Sequence, residues 1–337
     1  MTRPDTPRDE RSVRSGDLLG EGATAKATVD EHGIVTQWNE AARGLLGYRS
    51  AEIVGRPAAE LLALGELTVR GRVREASNAV LYCTVEYEGQ SAPCVYKPVA
   101  GERPLWDFPD GTLAQREVAA YEISEATGWG LVPPTVLRDG PYGQGMCQLW
   151  VEVETATDGP DGADGGPHGD GSEETGGAEL LALVDGDEPG PGWKAVGYAE
   201  VGEGRTALLV HADDVRLRRL AVLDAVINNG DRKGGHLLPA AGGRLYAIDH
   251  GVTFNADDKL RTLLWGWAGE PLPDDVLEVL RRLAGELADG GPLSARLAEL
   301  ITEAEIEALR ARVAALLRTG KHPEPSGQWP AIPWPPV

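Results

Sequence analysis

Residues 221–254, AVLDAVINNGDRKGGHLLPAAGGRLYAIDHGVTF, restrict this chain more than any other stretch. They open as the apolar end of a helix (Val222, Leu223, Val226, Ile227) and break into a polar loop from Asn228 to His236. Leu237-Leu238, a turn at Gly242-Gly243 and the run Leu245 to Ile248 have the pattern of a β-hairpin. The hairpin delivers Asp249 just before His250-Gly251, so two carboxylates, Asp231 and Asp249, stand at its two ends. Phosphoryl transfer from ATP needs acids placed in that way, one beside the acceptor hydroxyl and one holding Mg2+ on the phosphates. The preceding text, DDVRLRRLAVLDAVIN, predicts a helix capped by Asp213, with Leu217, Leu220, Leu223 and Ile227 on one face as a rigid support for the loop. Its Arg216, Arg218 and Arg219 make a solvent side.

Upstream, Leu67/Val69, Val80/Tyr82 and Val85/Tyr87 alternate between turns at Ala76-Ser77-Asn78 and Glu88-Gly89-Gln90, which predicts an antiparallel sheet. Cys94-Val95-Tyr96-Lys97-Pro98 puts Lys97 at the end of an apolar strand. A helix follows from Gln115 toward Gly128 and carries the acids Glu117 and Glu122. Met146 to Val151 reads as the strand that leads to the connection between two lobes.

Asp-Arg-x-x-x-His followed by Ile-Asp-His-Gly resembles the catalytic and metal loops of the phosphatidylinositol 3- and 4-kinase-like families. The type II phosphatidylinositol 4-kinases are nearest and HipA-like toxin kinases more distant, and the chain is similar also to an uncharacterised group of actinobacterial kinase-like proteins. The resemblance spans roughly residues 66 to 290. It implies an α+β, bilobal atypical protein/lipid-kinase-like fold that binds ATP with Mg2+ or Mn2+. It also assigns roles: Lys97 on phosphate, Glu117 pairing with and aiming Lys97 with Glu122 as its rival, Asp231 as base and Asp249 on metal. Ser77 and Asn78 occupy the place of the nucleotide-covering turn, without a Gly-x-Gly pattern, and the backbone near Gln148 and Trp150 would meet the adenine. Lys233 either neutralises the transferring phosphate or is a solvated loop cation. His236 stands where these families place an Asn metal ligand. An imidazole there favours Mn2+ and ties activity to protonation near pH 6.5. This departure keeps open a catalytically weak pseudokinase or nucleotide-binding signalling module. The acceptor hydroxyl, on a lipid, a protein or a small molecule, is not specified.

The organisation predicted is a disordered lead at 1–20, a partial PAS-like segment at 21–64, a first lobe and hinge at 65–151, an acidic Gly-rich insertion at 152–192, a second lobe at 193–318 and a Pro-rich tail at 319–337. The second segment resembles the first half of a PAS domain in its GIVTQWNEAA run, its Gly47-Tyr48 step and its EIVGRP stretch, but the closing strands of a PAS sheet do not follow Leu62. Its removal is therefore expected to leave a folded body. Leu180 to Val184 reads as a short docking helix inside the insertion. Three amphipathic helices near 274–288, 293–300 and 302–318 suit a second-lobe floor. Trp265 and Trp267 are a substrate-side segment or plain core, Trp106 and Phe108 core or lid aromatics, and Trp329 and Trp334 dock on the body or bind a protein partner.

With 53 Asp+Glu against 32 Lys+Arg, the chain carries a formal charge of −21. That excludes bulk attraction to nucleic acid and opposes anionic membrane surfaces, leaving at most a local peripheral contact. Three cysteines without metal-ligand spacing fit a reducing cytoplasm. No apolar run reaches membrane-spanning length, and the Arg/Asp-rich start lacks the apolar region of a signal peptide.

Overall fold

A computed structural model of the protein describes residues 27–29, 35–38, 58–73, 78–153, 180–200, 205–327 and 329–335. Strands β1 (Ala27–Val29) and β2 (Val35–Trp38) pair antiparallel. After helix α1 (Ala58–Leu64) come β3 (Glu66–Arg72), β4 (Leu81–Tyr87), β5 (Gln90–Pro98), helix α2 (Leu113–Thr127), β6 (Thr135–Gly140) and β7 (Gly143–Leu149). The five strands from β3 to β7 form one antiparallel sheet in the order β3-β4-β5-β7-β6.

Side chains alternate across a strand, so each face of this sheet has its own work. Cys83, Val85, Cys94, Tyr96, Cys147 and Leu149 share a fully packed face with Ala58, Leu61 and Leu62 of α1. Arg138 of β6 fastens that helix by donating to Leu62 O at 2.6 Å and Gly65 O at 2.7 Å. Helix α1 is thus a cover of the sheet, and a body cut at residue 64 would lose it. The opposite face, to which Lys97 belongs, is turned to α2 and the second lobe.

Helix α2 starts in a reciprocal capping box between Thr112 and Gln115 and ends at Gly128, whose φ of 70 is the left-handed cap that glycine supplies at least cost. Its buried Val118, Ala119 and Ile123 enter one core with the helices of the second lobe.

Leu181–Val184 form a strand, not the predicted helix. Strand β8 (Leu181–Val184) pairs with β10 (Thr206–Ala212), which also pairs with β9 (Trp193–Glu200), in the order β8-β10-β9. So short a piece closes too few helical hydrogen bonds to offset its ordering, whereas β10 supplies a ready ladder. Leu181 is 7% exposed and Leu183, two residues on and on the same face, is 52% exposed, so cover falls off along the strand.

Helix α3 (Val215–Ile227) is capped by Asp214, which accepts from Arg216 N at 2.7 Å, rather than by Asp213. Asp213 accepts instead from Trp267 Nε1 at 2.9 Å, and Trp267 is core, its ring tilted against His211 with centroids 4.2 Å apart. Leu217, Leu220, Leu223 and Ile227 are fully buried as one face. The arginines of α3 are not a free solvent side: Arg216 reaches Gly243 O, Arg218 reaches His322 and Pro271 O, and Arg219 reaches Asp275. The predicted hairpin follows as β11 (Leu237–Ala240) and β12 (Arg244–Ala247), with Leu237 opposite Ala247. Helices α4 (Asp274–Glu286), α5 (Pro292–Ala298) and α6 (Glu303–Thr319) form the floor.

The Pro-rich tail docks on the segment that precedes α4. Ala331 O accepts from Thr262 N at 3.1 Å and from Trp265 Nε1 at 2.8 Å, and Lys259 Nζ lies 3.6 Å from the Trp329 ring. Trp334 and Trp106 are exposed, while Phe108 is buried under the Arg116 guanidinium. Among the described residues no helix is long and apolar enough to cross a membrane.

Candidate active site

The site is built on the end of α3, where Asn228 takes a left-handed conformation and turns the chain into the loop. Inside the helix, fully buried Asp224 is the hub of that loop. It accepts from Asn229 Nδ2 at 2.9 Å, from Arg232 Nη2 at 3.0 Å and from Thr262 Oγ1 at 3.3 Å. Asn229 Oδ1 in turn takes the N–H of Asp231 at 2.9 Å, which fixes where that carboxylate stands. Arg232 then joins both ends of the hairpin, donating to Ile248 O at 2.9 Å and to His250 Nε2 at 2.7 Å. Because a guanidinium only donates, Nε2 of His250 is the acceptor and its proton sits on Nδ1. Burial first, and then Arg232, hold that imidazole well below its ordinary pKa.

Lys97, Glu117 and Asp249 meet in the cleft. Lys97 Nζ lies 2.7 Å from Glu117 Oε1 and 2.9 Å from Asp249 Oδ1. Burial alone would lower the Lys97 pKa; the two carboxylates outweigh it and raise it, so the ammonium is permanently charged. Lys97 likewise holds the Asp249 carboxyl below the usual range against the opposing effect of burial. Glu117 uses its second oxygen to accept from His250 N at 2.9 Å, so one buried side chain positions both Lys97 and the Asp249 loop. Glu122, the rival partner, pairs with Arg296 at 2.9 Å instead.

Asp249 sits at φ 63, a left-handed backbone. Its side chain is 52% exposed, and Oδ2 is 3.4 Å from His236 Nε2. Two cis ligands of one ion, each about 2.1 Å from it, stand about 3 Å apart, so this pair fits the edge of a coordination shell. Among the described residues no three His, Cys, Asp or Glu side chains converge. A divalent ion here would complete its shell with phosphate oxygens and water, the usual habit of Mg2+. The expected titration of His236 near pH 6.5 is corrected: burial chiefly, with Arg232, Lys233 and Lys97, pushes it down to about 4 despite Asp249. Asp231 moves the other way, raised by burial over the opposing pull of Lys233, whose Nζ is 3.3 Å from Oδ2.

Other expected contacts are placed differently. Gln148 is buried and donates its amide to Thr135 Oγ1 at 2.8 Å, so its side chain braces the sheet. Trp150 N is committed to Pro93 O at 3.1 Å, and its ring meets Tyr82 edge-on with centroids 5.0 Å apart. Asn78 Oδ1 accepts from Arg103 N at 3.0 Å; Ser77 lies outside the described residues. The register puts Tyr82 and Val95 opposite each other on the Lys97 face of the sheet. Strand alternation from Lys97 would have found Val95, whereas Tyr82 needs the pairing register of the neighbouring strand. Asp224 also had a signal, a lone acid inside an apolar helical run.

Fold and site define a bilobal α+β protein with an atypical kinase-like architecture. The chain is 50% identical over 275 residues to Protein Rv2133c of Mycobacterium tuberculosis (strain ATCC 25618 / H37Rv), covering 82% of this chain and 94% of that one, and it belongs to the family of that protein. The PAS fold model matches residues 23–85, a span that runs through α1 and β3 into β4. The Gly47-Tyr48 and EIVGRP motifs that carried the PAS resemblance lie outside the described residues. Among solved structures, hydra Fam20 with sugar superposes with a TM-score of 0.42 at 11% identity, covering 78% of this chain and 87% of that one. The Golgi casein kinase with Mn/ADP bound gives 0.40 at 14%, covering 83% and 79%. The Helicobacter pylori proinflammatory kinase CtkA gives 0.34 at 11%, covering 77% and 94%. Two of these three structures carry the word kinase in their names.

Proposed function

We propose that this protein is an ATP-dependent phosphotransferase of the phosphatidylinositol 3-/4-kinase-like type, acting on a lipid, protein or small-molecule hydroxyl. The observation that carries the reading is the convergence of a strand lysine, a helix acid and a post-hairpin acid, with Lys97 Nζ at 2.7 Å from Glu117 and 2.9 Å from Asp249. A charged lysine held in a cleft by two acids, one of them half exposed, is a phosphate and metal receptor waiting for its ligand. A divalent ion, Mg2+ or Mn2+, would neutralise charge on the transferring phosphates. Lys97 then turns from Asp249 to a phosphate oxygen, with Glu117 keeping it aimed. Asp249 and His236 would hold the ion. Asp231, with its raised pKa, receives the acceptor's hydroxyl proton as the new O–P bond forms and the bond from the γ-phosphorus to the β-phosphate's bridging oxygen breaks, releasing ADP. Lys233 stands beside Asp231, where it can meet the moving phosphoryl group.

The replacement of the usual Asn by His236 favours a second reading, a nucleotide-binding module with little or no transfer. Calorimetry with ATP and Mg2+ or Mn2+ tests the common part. Lys97→Met and Asp249→Asn each remove a charge-assisted contact and should weaken binding about tenfold to a hundredfold. Equal binding by wild type and both variants would mean that the site lies elsewhere. Transfer of labelled γ-phosphate to lipid, protein and small-molecule panels separates enzyme from module: Asp231→Asn should cut turnover by roughly 10²–10⁴ while ATP binding persists.

A further inference from the structure

We infer that Arg116 is a positioning residue that sets Glu117, and through it Lys97, by tying helix α2 to the second lobe. The inference rests on reading Lys97 and Glu117 as the phosphate-holding pair. Arg116 is the residue before Glu117 and is 2% exposed, a setting in which a guanidinium needs a specific partner. It has three. Nη1 is 2.6 Å from Glu305 Oε1 and donates to Thr253 O at 2.7 Å, and Nη2 donates to Asp110 O at 2.8 Å.

These contacts close a ring around the metal loop. Glu117 Oε2 takes His250 N at 2.9 Å, Thr253 Oγ1 donates to His250 O at 2.7 Å, and Arg116 takes Thr253 O. Two adjacent helix residues therefore grip the segment after Asp249 at two points. Glu305 anchors the ring to the floor. Its Oε2 accepts from Thr302 N at 2.9 Å and caps α6, leaving Oε1 for Arg116. Farther along, Glu122 pairs with Arg296, and Arg282 donates to Thr127 O at 2.9 Å, so α2 is fixed to all three floor helices. The helix that carries Glu117 thus belongs mechanically to the second lobe. Lys97, on the sheet, meets an acid whose place is set from below.

The test uses the full chain with Glu305→Gln and Arg116→Lys. A glutamine at 305 can still cap α6 through the same oxygen, but it removes the charge facing Arg116. A lysine at 116 keeps the charge and loses the fork that holds Thr253 O and Asp110 O together. Melting curves establish that each variant is folded; should Arg116→Lys not fold, Glu305→Gln decides. Acylation of lysines by an activated acetate ester, read by mass spectrometry, reports how tightly Lys97 is held, with Lys194 and Lys321 as references. Lys97 should react about tenfold faster in the variants than in wild type while the reference lysines keep their rates, and ATP–Mn2+ affinity should fall by about the same factor. Unchanged Lys97 reactivity in a folded Glu305→Gln protein overturns the inference. Faster Lys97 acylation in a protein whose wild type binds no nucleotide would uphold the positioning role and sink the phosphotransferase reading instead.

Discussion

Arg232 and Asp224 form an ion pair at 3.0 Å with neither side chain exposed, and this pair lies directly beneath the loop that carries Asp231. Asp224 is fixed in the rigid helix and Arg232 in the loop, so the pair transmits the helix's order to the loop segment. The parallel bridge of Arg232 to Thr262, with Arg232 N donating to Arg261 O at 3.1 Å, extends that order to the segment under the tail.

Asp224→Ala leaves a guanidinium buried without its counter-charge, and breaking a buried pair from one side costs about 3–5 kcal/mol. Urea unfolding should show a loss of that size. A loss below about 1 kcal/mol would mean that the loop is anchored by something other than this carboxylate.

Acid should weaken the fold before it protonates the site. His236 and His322 are each pushed down to about 4, chiefly by burial, and His211 and His250 are lowered too. In the unfolded chain these rings take up protons from about pH 6.5 downward, whereas the folded protein resists until about pH 4. Stability is therefore level above the unfolded value and declines as pH falls from about 6.5 toward 4. Melting temperature against pH should show that slope, and His236→Asn should make it shallower. A melting temperature constant from pH 7 to pH 4 would contradict the neutral, buried state of these rings.

Metal preference follows from the ligand pair. An imidazole suits Mn2+ better than Mg2+, which prefers oxygen. ATP should bind, and any transfer proceed, better with Mn2+ than with Mg2+, and His236→Asn should shift the preference toward Mg2+. Equal use of both ions, unaltered in His236→Asn, would leave His236 as a loop hydrogen-bonding residue.

Helix α1 sets where the chain can be shortened. Leu61 is 3% exposed and Leu62 is fully buried against the sheet. Burying each leucine is worth about 1.5–3 kcal/mol, so removing residues 1–64 should cost more than about 3 kcal/mol, whereas a protein beginning at residue 58 keeps the helix and most of that stability. Equal melting of the two shortened forms would show that the helix contributes little.

What could be read from the sequence was local. Lys97 ends an alternating strand, Glu117 lies in a run of helix formers, and Asp231 and Asp249 flank a hairpin marked by Gly242-Gly243; each carries a pattern within a dozen residues. The partnership of Lys97 with Glu117 came from family resemblance, and the distances bring the two together. The features that escaped depend on distant partners. Leu181 to Val184 has too little text to show its period, and its strand exists because β10 offers hydrogen bonds. Arg116 and Glu305 are 189 positions apart and look like two ordinary surface charges until the fold closes over them. Asp214 and Asp213 are adjacent equals as caps on paper; Trp267 decides between them by occupying the second.

The left-handed backbone at Asp249 has a consequence for how this family can change over time. Glycine aside, only aspartate and asparagine adopt that conformation readily. Asparagine there would preserve the turn, the hairpin and the Lys97–Glu117 pair, and would discard only the negative charge. A descendant that retired from chemistry by this route would carry no scar in its architecture. Its silence would be written in the exchange of one side-chain oxygen for a nitrogen.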